Sequence, residues 1–350
     1  MITSFCALFF LGLSSLATAA NFTQVFEWPN GMDYEWPSEA SRTQALNDGA
    51  FKPENIQARF MAVYGTRIFL SLENYDGIPA SLVTFMTSSA SFASPPKLNP
   101  FPSRGMQGKG FCNKIEQTKG MDVDSVGRLW VLDDGSENCN AKLWTIDLSN
   151  NDHTKLIHRF SFRFYMHDLV LDETPNGTFA YILRWGERNI IVFRLEGNES
   201  WIVQTPGSGV YSIALSPKSK EEPRKLYLGK WDSDELYSIS VTALRKETRI
   251  ANPKLIGKWN ARPYKMLIDN HGTMYAAFWE KNYINSWNTS QPFEEQRFYE
   301  DAGLNTYWPF NFAFDQNGTL WMTVFDKTRK PKYRLLKTAV DARSFKASPE

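Results

Sequence analysis

Three stretches of this chain follow one grammar: MDVDSVGRLWVLDDG at 121–135, DNHGTMYAAFWE at 269–280 and DQNGTLWMTVFD at 315–326. Each alternates apolar residues, turns at an acidic residue and a glycine, then alternates again through an aromatic. Period-two alternation on both sides of a short loop is the pattern of an antiparallel hairpin. Aligned on that aromatic, the chain holds six copies, at Phe69, Trp130, Tyr181, Tyr227, Tyr275 and Trp321, spaced 46 to 61 residues apart. Strand-like runs such as KLWTIDL, NIIVFRLE, SWIVQT, ELYSISV and YINSWNT lie between the copies, so each unit has room for four strands. Only ALRKETRI (243–250) resembles a helical turn.

A hairpin cannot bury both faces alone, and a ring of stacked hairpin units buries them all. Four short strands repeated at this period predict an all-β chain with the architecture of a six-bladed β-propeller. An open sandwich array is the alternative, and it leaves sheet edges unprotected. The segment ahead of the first hairpin is expected to supply a ring-closing strand or a strap across one face.

The first 20 residues, MITSFCALFFLGLSSLATAA, read as a secretory signal peptide cleaved after Ala19 or Ala20. The expected mature chain, 21–350, is a single propeller domain that is secreted and extracellular. Cys6 leaves with the leader, and Cys112 and Cys139 remain as a pair in an oxidising compartment. Sequons at Asn21, Asn176, Asn198, Asn288 and Asn317 are candidate glycosylation sites. Lys and Arg number 39 and Asp and Glu 38, so no global field draws in nucleic acid or an anionic membrane. No stretch after the leader reaches the length of a spanning helix.

These residues resemble the yellow / major royal jelly protein family. The carrying stretches are DYEWPSEASRTQAL, GIPASLVTF with LNPFPS, VGRLWVLDDG, FAYILRWGERNIIVFRLEGNESW, LYLGKWDSDELYSISVTALR, INSWNTSQPF and FDQNGTLWMTV with KYRLLKTAV, in that order. The resemblance implies a secreted six-bladed propeller, commonly glycosylated and disulfide-bonded, with a ligand site at one mouth of the central channel. Roles known in the family are pigmentation and cuticle, dopachrome conversion, nutrition, and capture of biogenic amines. The chain departs from the family at Val126, where a cysteine is usual before G-R-L-W, and at Ser286, where C-W-N is common. It also departs at Val324 and Phe325, where a Ser-Asn pair often faces the channel.

Topology places the start of each inner strand and the end of each second strand on one face of the ring, where loops on a rigid scaffold concentrate function. Read this way, the candidate ligand-binding residues are Asp134, Arg184, Trp185, Tyr211, Trp279, Phe310, Asn311 and Phe325. The aromatics could sandwich a planar ring, Asp134 and Asp326 could pair an ammonium, and Arg184 and Lys265 could take an acidic ligand. His167, beside Asp168, is the candidate for proton transfer. The bland readings are aromatics that plug the channel, aspartates that cap turns, and a structural histidine. G-x-S-x-G, H-E-x-x-H, C-x-x-C and a phosphate-binding loop are all missing, and the four histidines (153, 158, 167, 271) lack zinc spacing. The expectation is a small-molecule binder, holding an aromatic amine, catechol or lipid, with no cofactor and no metal. A dopachrome-converting enzyme or a structural or nutritive protein is the alternative.

Overall fold

The computed structural model describes residues 20–340 except 74, 88–93, 208, 220–222, 247–248 and 331. The expected leader lies outside these residues up to Ala19. Six four-stranded antiparallel sheets form a ring, a six-bladed β-propeller. The inner strands are Ala58–Tyr64, Thr118–Val123, Met166–Thr174, Val210–Leu215, Pro263–Ile268 and Phe310–Phe314. The second strands are Arg67–Leu72, Arg128–Asp133, Gly177–Arg184, Lys225–Lys230, Thr273–Phe278 and Thr319–Phe325. Each second strand carries one of the six aligned aromatics, all buried between neighbouring blades.

The recurring phrase has a hydrogen-bonding cause. In blades 2, 5 and 6 an aspartate six residues before the aromatic accepts from both the turn and the aromatic. Asp124 takes Trp130 Nε1 at 2.8 Å and Arg128 N at 2.8 Å. Asp315 takes Trp321 Nε1 at 2.9 Å and Thr319 N at 2.9 Å. Asp269 takes the Tyr275 hydroxyl at 3.1 Å and Thr273 N at 2.9 Å. One buried carboxylate thus satisfies a turn and a core polar atom together, which low dielectric makes costly to lose. The glycine between them, Gly127, Gly272 or Gly318, sits at φ +81° to +84°, a region open mainly to glycine. Blade 1 has Phe69, which has no polar atom, and no aspartate at the matching place.

Blade 6 is completed by the first described strand, Thr23–Trp28, which pairs antiparallel with Tyr333–Ala339. Trp28 Nε1 donates to the Pro96 carbonyl at 2.9 Å and the Tyr333 hydroxyl to the Ile56 carbonyl at 2.8 Å, fastening this seam to blade 1. After the seam comes a helix, Glu39–Asn47, that the strand pattern did not foresee. Its start was written in Ser38, whose hydroxyl oxygen accepts from Ser41 N at 3.1 Å. A second short helix, Val241–Arg245, overlaps ALRKETRI. Its Arg245, with Arg224, pairs with buried Asp172, which also accepts from the Tyr181 hydroxyl at 2.8 Å.

Cys112 and Cys139 form a disulfide of 2.08 Å. Beside it, fully buried Lys142 contacts Glu116 and lies 3.5 Å from Asp133. All five sequon asparagines are exposed.

Candidate functional site

The wall of the mouth is built by an irregularity repeated around the ring. Five of the six inner strands slip register at their first residues: between Ala58 and Phe60, Thr118 and Met121, Met166 and Leu169, Val210 and Ser212, and Pro263 and Lys265. Each slip is a β-bulge, an extra residue that re-aims a side chain. The residues so placed are Arg59, Lys119, His167, Tyr211 and Tyr264. Blade 6 has no slip; Phe310 faces Val324 and Asn311 faces Thr323 in plain register. At the bulge of blade 2, a Cβ on Gly120 would come within 2.6 Å of the Asp168 Cα, so only glycine lets blades 2 and 3 close here.

The mouth is an open well of about 560 Å³. Tyr211 is its hub, with ring centroids 4.3 Å from His167, 5.0 Å from Trp231 and 5.1 Å from Trp279. Trp279 lies 5.0 Å from both Trp231 and Trp308, and Trp185 stands 5.2 Å from Trp231 at the rim. Edge-to-face and tilted contacts of this kind hold aromatic walls rigid. Trp185 and Tyr165 remain 40% and 52% exposed, forming a lip over buried and half-buried rings.

Charges line the same well, and most are already paired. The Arg59 guanidinium sits 3.8 Å from the Trp308 ring, donates to the Tyr211 hydroxyl at 3.0 Å and lies 3.5 Å from Glu73. Lys119 pairs with Glu73 at 3.0 Å and Lys265 with Asp168 at 3.2 Å. Asp134 differs: its carboxylate accepts the Met166 N–H at 2.8 Å, and no cationic side chain forms an ion pair with it among the described residues. Burial lifts this carboxyl to about 6, against the opposing pull of Lys119. The loop beyond Asp134 is strained, with Phe164 and Tyr165 at φ +61° and +68°, and Phe164 N donates to the Asp134 carbonyl at 3.2 Å.

His167 is buried against Phe60 and Tyr211, and desolvation, with Arg59, Lys119 and Lys265 nearby, holds its imidazole well below the usual range. It is a neutral ring at the floor. Its sequence neighbour Asp168 turns to Lys265 instead of to the imidazole.

Of the residues expected from sequence, Asp134, Trp185, Tyr211, Trp279 and His167 meet in the well. Phe310 lies beneath them in a neck with Phe60, Tyr264 and Lys265. Arg184 is at the side, over Phe162 at 4.4 Å and 3.5 Å from Glu187. Asn311 is buried with neither amide atom hydrogen-bonded to a described residue. Phe325 turns into the seam, stacked on Tyr333 at 4.7 Å, because the ladder of the last blade runs straight there. Asp326 caps its own turn through Thr328 and Arg329. Arg59, Tyr165 and Trp308 were not anticipated. Arg59 obeys the strand-start rule that found Tyr211, whereas the two aromatics sit in loops without a repeat signature.

Among the described residues no group of three or more His, Cys, Asp or Glu is placed to hold a metal, and no helix is long and apolar enough to cross a membrane.

The major royal jelly protein family model matches residues 118–208 and 205–323. The chain belongs to the major royal jelly protein family. Relatives of this royal jelly-type chain include protein yellow of Drosophila pseudoobscura pseudoobscura, 24% identical and covering 85% of this chain and 61% of that protein. Protein yellow of Drosophila guanche is 25% identical, covering 85% and 60% respectively. The chain thus spans about three fifths of the length of these relatives. Among solved structures it is similar to a luciferin-regenerating enzyme, with a TM-score of 0.51 at 12% identity over 93% of this chain and 97% of that one, which speaks for the fold alone.

Proposed function

We propose that the protein is a secreted binder that holds a planar aromatic ring bearing a protonated amine in the mouth of its propeller. The observation that carries this reading is Asp134. It is a desolvated carboxylate in an aromatic well whose other acids already have cationic partners. An ammonium entering the well finds its missing counter-charge there, and the indole and phenol faces add roughly 0.5–2 kcal/mol of cation–π attraction. The ring of the ligand lies over the wall that Trp185, Trp231 and Tyr211 form by packing on one another. Arg59 Nη1, Trp279 Nε1 and Trp308 Nε1 have no hydrogen-bond partner among the described residues, but they are buried, so a ring hydroxyl reaches them only where a neighbouring side chain shifts. The disulfide and the five exposed sequons support passage through an oxidising secretory route.

A proton-transfer role for His167 has less support, since among the described residues no carboxylate orients the imidazole and the ring packs into the floor. Calorimetry with tryptamine and with indole-3-propionate, the same ring with the opposite charge, tests the proposal. Binding of tryptamine alone, lost in Asp134→Asn, is the expected result. Equal heats from the two ligands, or full binding by the variant, would contradict it.

A further inference from the structure

Below the neck the channel opens again. A separate cavity of about 110 Å³ extends from Lys265 down to the hairpin turns at Asp124 and Asp315. Its space comes from small residues: the inner strands of blades 1, 4 and 6 place buried Ala62, Ala214 and Ala313 along it. Its walls carry three methionines on three different blades, Met61, Met121 and Met266, each 5% exposed or less.

The charges around this chamber are already committed. The Asp122 carboxylate accepts the N–H groups of Val123 at 2.9 Å and Leu171 at 3.2 Å. Asp124 and Asp315 hold Trp130, Trp321 and their turns. Lys265 directs its ammonium at Asp168. An anion would meet these carboxylates as like charges, and a cation would have to compete with the N–H donors that already fill them. An uncharged apolar guest meets neither obstacle. Thioether sulfurs make favourable contacts with aromatic rings, and unbranched methionine side chains adapt to a guest's outline. A dry apolar cavity of about 150 Å³ accepts benzene, so a chamber slightly smaller, walled by adaptable methionines, suits a single ring.

We propose that this turn-side chamber is a second binding site, independent of the mouth, for a small uncharged ring molecule about the size of benzene. The His167–Tyr264–Lys265 neck separates the two, leaving only about 10 Å³ between them. The proposal does not depend on the mouth binding an amine.

Benzene is the probe. At about ten times its Kd it should raise the melting temperature of the full chain by roughly 2 °C, by mass action on the folded state. Ala214→Leu fills the chamber and should abolish that shift, while Trp231→Ala, in the mouth, should keep it. Loss of the shift in Trp231→Ala with retention in Ala214→Leu would overturn the proposal, as would no shift in the native chain. Should Ala214→Leu fail to fold, a xenon-pressurised crystal of the native protein decides: xenon among Met61, Met121 and Met266 supports the site, and none there refutes it.

Discussion

Asp134→Asn should make the protein more stable while disabling its mouth. The carboxyl titrates near 6 in the fold against 3.8 unperturbed, because burial disfavours its charged form. The folded state therefore holds a proton between those values that the unfolded chain releases. Stability from this group rises as pH falls through 6, and at neutral pH ionised Asp134 is a cost. A rise of about two pH units corresponds to about 3 kcal/mol at 1.36 kcal/mol per unit. Asparagine is isosteric, can still accept the Met166 N–H and carries no charge to desolvate. With an unfolding entropy of about 2.1 cal/mol/K per residue over roughly 320 residues, 3 kcal/mol is worth about 4 °C in melting temperature. Scanning calorimetry at pH 7.5 and pH 4 reads it out. The gain should be present at pH 7.5 and nearly gone at pH 4, where native Asp134 is also neutral in the fold. No gain at pH 7.5, or the same gain at both pH values, refutes the reasoning that this carboxylate is held charged at a cost.

Further outcomes follow from other parts of the molecule. Amine affinity should fall about tenfold from pH 7 to pH 5, as the ionised fraction of a group at about 6 drops from roughly nine tenths to one tenth; His167, held neutral, adds nothing to that profile, and titration calorimetry across the range checks it. Lys142→Met leaves buried Glu116 without its cation, while Asp133 keeps four N–H donors, and should cost about 3–5 kcal/mol in urea unfolding, most of it recovered by adding Glu116→Leu. Cys139→Ser should cost about 3 kcal/mol by releasing the loop closed with Cys112, measured the same way under oxidising conditions. Asp315→Ala removes the acceptor of the Trp321 indole and of two turn amides and should lower stability by about 2–3 kcal/mol.

Blades 2, 5 and 6 were legible because the phrase that repeats is itself a hydrogen-bonding unit, and the other three by their alternation around an aligned aromatic. An aspartate, a glycine at positive φ and an aromatic six residues on cannot drift apart without losing three bonds, so they stay readable in sequence. The bulges were not legible. An extra residue at the start of a strand does not disturb the alternation after it, so strand position points to Arg59 and Tyr264 while the bulge that aims them stays invisible. The same blindness explains Phe325. The rule that strand ends face the mouth assumes equivalent blades, and blade 6, lacking the bulge, sends that ring into the seam. The helix at Glu39–Asn47 escaped because its apolar face is slight; only Ala45 is buried.

The seam itself decides how this molecule fails. The Thr338 hydroxyl donates to the Asn21 carbonyl across 317 residues, so the wheel cannot lock until both distant arms have met. A chain stripped of Thr23–Trp28 would not be a slightly weaker propeller. It would present Tyr333–Ala339 as a bare ladder, an edge open to any extended strand. Damage at that one clasp turns a closed ring into one with an adhesive edge.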